Sequence, residues 1–234
     1  MKAYLKAQAE KMGVPMTDAQ ADAFCAYHDR LTAANREMNL TRVGEDAQEA
    51  VDRNYLDSLT ILPFLGGVST LIDVGTGAGF PGVPVAIMRP DIHVTLMDAL
   101  GKRVAFLKEV VAALGLNADC VHARCEDAAK KPEFRDAYDV ACARAVAETN
   151  VLSEWLLPFV KPGGAFIAMK GPDCGEELGE ASKAISALGG KLERCAAYTI
   201  PGTDITHSLV IIRKMRPTPP KYPRRWAQMK KHPL

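Results

Sequence analysis

The chain has 234 residues, 48% apolar and 24% charged, enough to bury one sizeable core with a smaller appendage. No uncharged run reaches the ~18 residues of a membrane-spanning helix, and the start MKAYLKAQAEKMG carries charge where an export signal has its apolar segment, so a cytoplasmic protein with no membrane partner is expected. Net charge is +1 but lopsided: Arg213 to Leu234 holds eight Lys and Arg and no acid, leaving 21 basic against 28 acidic residues before it, which points to a polyanionic partner.

Residues 1 to 11 read as a short helix, stopped by Gly13 and Pro15. Thr17 and Gln20 form a capping box for a second helix. Along it Phe24, Tyr27, His28, Leu31, Ala34 and Met38 recur at helical spacing, giving one apolar face on which His28 reads as packed rather than ligating. Asn39-Leu40-Thr41 breaks the pattern. Val51, Tyr55, Leu59 and Leu62 then place a third helix over 47–62, ended by Pro63 and Gly66-Gly67. Residues 1–66 are therefore expected to form a helical cap packed on the body.

From there strands and helices alternate. Strands are expected at 70–74, 92–97, 119–123, 138–142 and 165–169, with helical segments at 83–88, 101–114 and 126–131, one through Leu152, Trp155 and Phe159, and one at 176–188. The stretches 191–198 and 206–213, joined through Pro201-Gly202, read as an antiparallel hairpin. The expected fold is α/β and Rossmann-like, a mostly parallel sheet with a terminal antiparallel hairpin over residues 67–213, followed by a basic, Pro-rich tail at 214–234. That ending suits a class I S-adenosylmethionine-dependent methyltransferase better than a dehydrogenase.

The chain is organised around Asp73 to Gly82, DVGTGAGFPG, between an apolar strand and a helix. Gly75, Gly77 and Gly79 let the backbone turn sharply and lie close to a ligand near a helix N-terminus. A lone glycine loop also ends strands for structural reasons, but Asp98 closes the next strand, where such folds place an acid on ribose hydroxyls. Arg124-Cys125-Glu126, Arg144-Ala145 and Lys170-Gly171 fall at three further strand ends. Each alone fits turn chemistry or an ion pair; together they favour a nucleotide-like cofactor site. The six cysteines show no metal-ligand spacing and read as reduced structural thiols, with no metal implied. A nicotinamide-dependent oxidoreductase and a non-enzymatic RNA-binding module are the competing classes.

These residues carry a family resemblance. Asn39-Leu40-Thr41, Leu56-Asp57-Ser58-Leu59, Asp73 to Pro84, Leu100-Gly101-Lys102-Arg103-Val104 with Phe106-Leu107, Arg124-Cys125-Glu126, Arg144-Ala145-Val146-Ala147 and Met169-Lys170-Gly171 together resemble the ribosomal RNA small-subunit methyltransferase G family, also called glucose-inhibited division protein B. The sequence departs from that pattern at Asn54, where a histidine is usual, at Ala99, where a serine is, and at His207-Ser208, where Arg-His is.

The resemblance implies methyl transfer from S-adenosylmethionine to N7 of guanine 527, in the 530 loop of 16S rRNA, with the naked rRNA or the 30S particle as partner and a monomer as the default state. By motif correspondence Gly75 and Phe80 flank the cofactor, Cys125 and Glu126 lie beside its adenine, and Arg144 sits between cofactor and substrate. Asp73, Gly77, Gly79 and Asp98 complete the cofactor set from the strand-end argument. Arg144 and Lys170 are assigned to positioning phosphate or the guanine O6. No general base is expected, because guanine N7 has an in-plane lone pair and no proton to lose. Lys102, Arg103, Lys170, Lys221, Arg224, Arg225, Lys230 and Lys231 are the RNA-facing candidates. A competing reading has Tyr222 and Trp226 pin the basic tail to the body.

Overall fold

A computed structural model describes residues 1–38, 46–144 and 147–234, with residues 37 and 38 described by backbone alone. The motif residues Asn39-Leu40-Thr41, Ala145 and Val146, and the side chain of Met38, lie outside the described set.

The N-terminal helices form where the caps and apolar spacing place them. Helices α1 (Lys2–Lys11) and α2 (Asp18–Met38) pack through Leu5, Ala9, Ala21, Phe24, Tyr27 and Leu31, all fully buried. The capping box closes as drawn: Gln20 Oε1 accepts the Thr17 N–H at 2.8 Å, and Thr17 Oγ1 accepts the Gln20 N–H at 3.2 Å. His28 is buried, its Nδ1 2.9 Å from the Tyr55 hydroxyl.

The third helix differs from the expected regular helix over 47–62. It runs as α3 (Ala47–Ala50), a π-helical stretch (Val51–Leu56) and α4 (Asp57–Leu59), with a 3-10 turn at Leu62–Phe64 around Pro63. Asp46 caps its start, accepting the Gln48 and Glu49 N–H groups. At the end of the widened stretch the Asp57 N–H bonds the Asn54 carbonyl rather than that of Arg53. Such π turns recur at functional sites.

Seven strands form one sheet in the order β3-β2-β1-β4-β5-β7-β6. Strands β1 (Thr70–Val74), β2 (His93–Asp98), β3 (Ala118–His122), β4 (Tyr138–Arg144) and β5 (Val160–Lys170) are parallel. β6 (Gly190–Thr199) and β7 (Thr206–Lys214) form the hairpin, and β7 pairs antiparallel with β5, Lys170 opposite Ser208. Helices α5 (Gly82–Met88), α6 (Gly101–Leu114), α7 (Cys125–Ala128), α8 (Thr149–Leu156) and α9 (Gly175–Ala187) connect them. The N-terminal helices share one apolar core with Val83, Leu96 and Leu107 of the body.

The C-terminal segment is built in rather than trailing. β7 runs through the expected boundary at 213, and Lys214 is fully buried, its ammonium donating to Asp136 Oδ1 (3.0 Å), the Val160 carbonyl (2.9 Å), Thr218 Oγ1 (2.9 Å) and the Leu157 carbonyl. Arg135 donates to the Thr218, Pro219 and Tyr222 carbonyls at 2.7, 3.3 and 3.0 Å. Arg224 grips the buried carboxylate of Glu154, and a short helix α10 (Trp226–Lys231) buries Met229 completely.

Candidate functional site

The strand order changes direction between β1 and β4, and in open α/β sheets ligands bind outside the carboxyl ends at such a point. Two adjoining cavities of about 240 and 810 Å3 open there, sharing Gly75 and Arg103.

The glycine loop between β1 and α5 is shaped from beneath. Asp73 is fully buried, and its Oδ2 accepts the Thr76 hydroxyl at 2.7 Å and the Gly82 N–H at 2.8 Å, while Oδ1 has no partner. Burial pushes its carboxyl up to about 6 against the pull of those two bonds. Asp73 lines neither cavity, and the bonds it makes hold the loop. Gly79 also lines neither. At φ +115°, a Cβ there would sit 2.6 Å from Val83 Cγ2 and 2.9 Å from the Tyr27 hydroxyl, so the position demands glycine for packing. The Tyr27 hydroxyl, from α2, donates to the Ala78 carbonyl at 2.7 Å and clamps the loop from above. Gly75 and Gly77 do face the cavities.

The smaller cavity is mostly apolar, with two acids in its lining. Met97, Leu100, Ala123 and Trp155 supply its walls, and Asp98 and Glu126 its carboxylates. Asp98 Oδ2 accepts the Gly77 N–H at 3.0 Å and Oδ1 the Leu100 N–H at 2.9 Å, with Arg103 Nη1 3.4 Å away, so this acid ties the glycine loop to the next βα turn. Glu126, buried at the start of α7, is held by Arg124 Nε at 2.7 Å. Cys125 lines the cavity, and burial raises its thiol above the ordinary range.

The larger cavity is basic. Arg53, Arg103, Arg144, Lys170 and His207 line it against a single carboxylate, Asp57, and Phe80 forms part of its wall. Arg144 donates to the Arg53 carbonyl (3.1 Å), Asn54 Oδ1 (2.9 Å) and Asp57 Oδ2 (3.3 Å), and its guanidinium lies 4.7 Å over the Phe80 ring. The other oxygen of Asp57 accepts the Tyr198 hydroxyl at 2.7 Å and meets His207 Nδ1 at 2.8 Å; that hydrogen bond raises the His207 pKa. Lys170 reaches the Ala147 carbonyl at 2.8 Å and Glu177 at 2.7 Å. Burial works to raise the Glu177 carboxyl, but the bonds from Lys170 and Thr149 outweigh it and hold it low. Arg103 lies on both cavities with its Nε buried and without a hydrogen-bond partner among the described residues.

The structure therefore gathers Gly75, Gly77, Phe80, Asp98, Arg103, Cys125, Glu126, Arg144 and Lys170 around the two cavities. Lys102 lies outside both, exposed, as do the exposed residues Lys221, Arg225, Lys230 and Lys231. Arg224, expected to face RNA, is instead committed to Glu154 at 2.6 to 3.1 Å and is 15% exposed, because a buried carboxylate needs its partner. Sequence reasoning missed Asp57 as a hub, Tyr198 and Trp155. Asp57 left one signal, its place in the quoted motif Leu56-Asp57-Ser58-Leu59. Among the described residues no group of three or more His, Cys, Asp or Glu is arranged to hold a metal, and no helix is long and apolar enough to cross a membrane.

A seven-stranded sheet with β7 inserted antiparallel beside β5, carrying a glycine loop at its switch point, is the class I methyltransferase fold. The chain aligns with an O-methyltransferase, TomG from Streptomyces achromogenes in complex with SAM, at TM-score 0.56 and 15% identity over 81% of this chain and 90% of that one. It aligns with a 16S rRNA (adenine(1408)-N(1))-methyltransferase with cosubstrate SAM from Catenulisporales acidiphilia at TM-score 0.51 and 18% identity, covering 64% and 87%. The [4+2]-cyclase SpnF matches as well, at TM-score 0.56, so this likeness is one of fold. The chain belongs to the rRNA small subunit methyltransferase G family, whose GidB model matches residues 20–205. It is 44% identical over 233 residues to the Ribosomal RNA small subunit methyltransferase G of Clostridium perfringens (strain 13 / Type A), covering 98% of this chain and 97% of that one. With the protein of that name in Acetivibrio thermocellus it shares 46% over 228 residues, covering 97% and 93%.

Proposed function

We propose that the protein transfers a methyl group from S-adenosylmethionine to N7 of guanine 527, in the 530 loop of 16S rRNA. The observation that carries this reading is the pair of cavities sharing Gly75 and Arg103, one mostly apolar with Asp98 and Glu126 in its lining, the other basic. The residues fit the cofactor: Leu100, Cys125 and Trp155 would wall its adenine, Asp98 and Glu126 would accept from its hydroxyl and amino groups, and the unpartnered Nε–H of Arg103 would meet an acceptor at the seam. When bound, S-adenosylmethionine supplies a methyl group on a sulfonium centre.

The protein's part is alignment. Guanine N7 needs no base, and well-oriented reactants recover on the order of 7 to 11 kcal/mol of barrier. Arg144, fixed at three acceptors and over Phe80, is pre-set to orient the guanine or its phosphate, and Lys170 stands on the same wall. Arginine suits guanine, whose O6 and N7 both accept; N7 must stay open, so O6 is the contact. Lys102, Lys221, Arg225, Lys230 and Lys231 extend the basic surface toward phosphate, giving a salt-dependent affinity. A cytoplasmic monomer acting on the 30S particle is the simplest setting.

The test is methylation of unmodified 30S subunits and of naked 16S rRNA with labelled cofactor, followed by mapping of the labelled base. Label at another base, or none from a cofactor-bound enzyme, refutes the assignment.

A further inference from the structure

The chain contains two tryptophans, and the fold puts them in contact, with ring centroids 5.2 Å apart and planes at 43°. Trp155, in the last turn of α8, lines the smaller cavity; Trp226, the first residue of α10, packs against it and lines neither cavity. The contact is not incidental to the path of the chain. Two residues before Trp226, Arg224 bonds Glu154, the immediate neighbour of Trp155, through its backbone N–H at 2.7 Å and its guanidinium at 2.6 to 3.1 Å. Three residues after it, Met229 is fully buried. The indole N–H of Trp155 is buried without a hydrogen-bond partner among the described residues, so packing and not a polar anchor sets the angle of this ring.

We propose that Trp226 is a positioning residue for the methyl-donor pocket, and that the segment from Lys214 onward serves to brace Trp155 as its aromatic wall. The proposal rests on the reading of the smaller cavity as the adenosine subsite. An aromatic wall held in place before the ligand arrives spares the ordering that binding otherwise has to supply. Loss of the brace leaves the chemistry alone and weakens cofactor binding. The basic end of the chain thereby acts on the cofactor side of the reaction.

The experiment uses the full chain and the variants Trp226→Ala, Trp226→Phe and, as a control on the exposed side of α10, Gln228→Ala. Calorimetry gives the affinity for S-adenosylmethionine, and assays on unmodified 30S subunits give the cofactor KM and kcat. Trp226→Ala is expected to weaken binding about threefold to tenfold, the scale of one aromatic pair, and to raise KM by a like factor with kcat at saturating cofactor unchanged. Trp226→Phe restores both and Gln228→Ala changes neither. Trp226→Phe also leaves Trp155 as the sole tryptophan, so its fluorescence must respond to S-adenosylmethionine and saturate with the calorimetric Kd. This measurement stands even where Trp226→Ala fails to fold. Wild-type affinity in folded Trp226→Ala overturns the brace, as does a Trp155 signal unmoved while calorimetry records binding. Absence of S-adenosylmethionine binding to the unaltered protein sinks the pocket reading, and the brace with it.

Discussion

Arg224→Ala separates an anchoring tail from an RNA-binding arm. Glu154 is 1% exposed, and it accepts two bonds or more from the Arg224 guanidinium besides one from the Arg224 backbone N–H. Removal of the guanidinium leaves a buried carboxylate with that N–H as its remaining partner on the tail. Breaking a buried pair from one side costs about 3 to 5 kcal/mol. The lower figure applies here, because the N–H stays and the arginine is partly exposed. For a chain of this size ~1 kcal/mol moves Tm by ~2 to 4 °C, so a fall of about 6 to 12 °C is expected. Adding Glu154→Gln removes the stranded charge, and the double variant should recover part of the loss, a coupling that a double-mutant cycle measures. Scanning calorimetry of the four proteins, with 30S binding over a salt series, decides the matter. A Tm within ~2 °C of the parent, together with weaker and less salt-dependent RNA binding, would refute the anchoring argument and restore the arm.

Four further outcomes follow from the site. Gly79→Ala should destabilise the protein by at least 1 to 3 kcal/mol and abolish cofactor binding, since its Cβ overlaps Val83 and the Tyr27 hydroxyl at a φ of +115°; urea unfolding and calorimetry measure both. His207, whose pKa is raised by its bond to Asp57, contributes stability that is fully present below its unfolded pKa of ~6.5 and is lost as pH rises through the higher folded value. Urea midpoints from pH 6 to 9 should fall for the parent and flatten for His207→Gln. Asp73 has the opposite history, a carboxyl raised to about 6 by burial, so the folded state holds its proton longer than the unfolded chain and stability declines between pH ~4 and 6. Asp73→Asn keeps an acceptor for Thr76 and Gly82, and should remove that decline while leaving cofactor affinity intact. Arg144→Lys loses the forked contacts to Arg53, Asn54 and Asp57, and should lower kcat tenfold or more with little change in cofactor Kd, as steady-state assays and calorimetry would show.

The elements legible in the sequence were those whose signals are local. The capping box at Thr17, the Gly75-Thr76-Gly77 turn and the alternation through β1 to β5 each rest on residues close together in the chain, and each formed within a few residues of its expected place. The cavity-facing set was legible for a related reason, since strand ends in a parallel sheet converge whatever lies between them. What escaped was decided by partners far away in the chain. Nothing near Arg224 announces Glu154, 70 residues earlier, and a cluster of eight basic residues without an acid reads as a free polycation until the carboxylates that pair with it, Glu154 and Asp136, are known. The part Asp73 plays within the loop was hidden in the same way: its pattern is that of an acid at a strand end before glycines, and only the fold shows it accepting from Thr76 and Gly82.

The N-terminal helices support both the glycine loop and the basic cavity. Tyr27 holds the glycine loop through the Ala78 carbonyl, while the widened helix from Val51 to Leu56 presents the Arg53 carbonyl and Asn54 to Arg144, with Asp57 following. Tyr55 joins the two supports, its ring 5.9 Å from Tyr27 and 5.8 Å from Phe80. The loop that would carry the methyl donor and the arginine that would orient its acceptor are thus referenced to one apolar core. For an in-line transfer without a general base, the relative placement of those two parts is the main quantity left for the protein to set. Asp57, buried and bonded to Arg144, Tyr198 and His207 at once, extends the same frame to the β6-β7 hairpin on the far side of the basic cavity. Two of this chain's departures from the family pattern, Asn54 and His207, both touch that frame: one bonds Arg144 and the other Asp57. Both positions therefore bear on how Arg144 and Asp57 are held, while Ala99, the third departure, lines the smaller cavity.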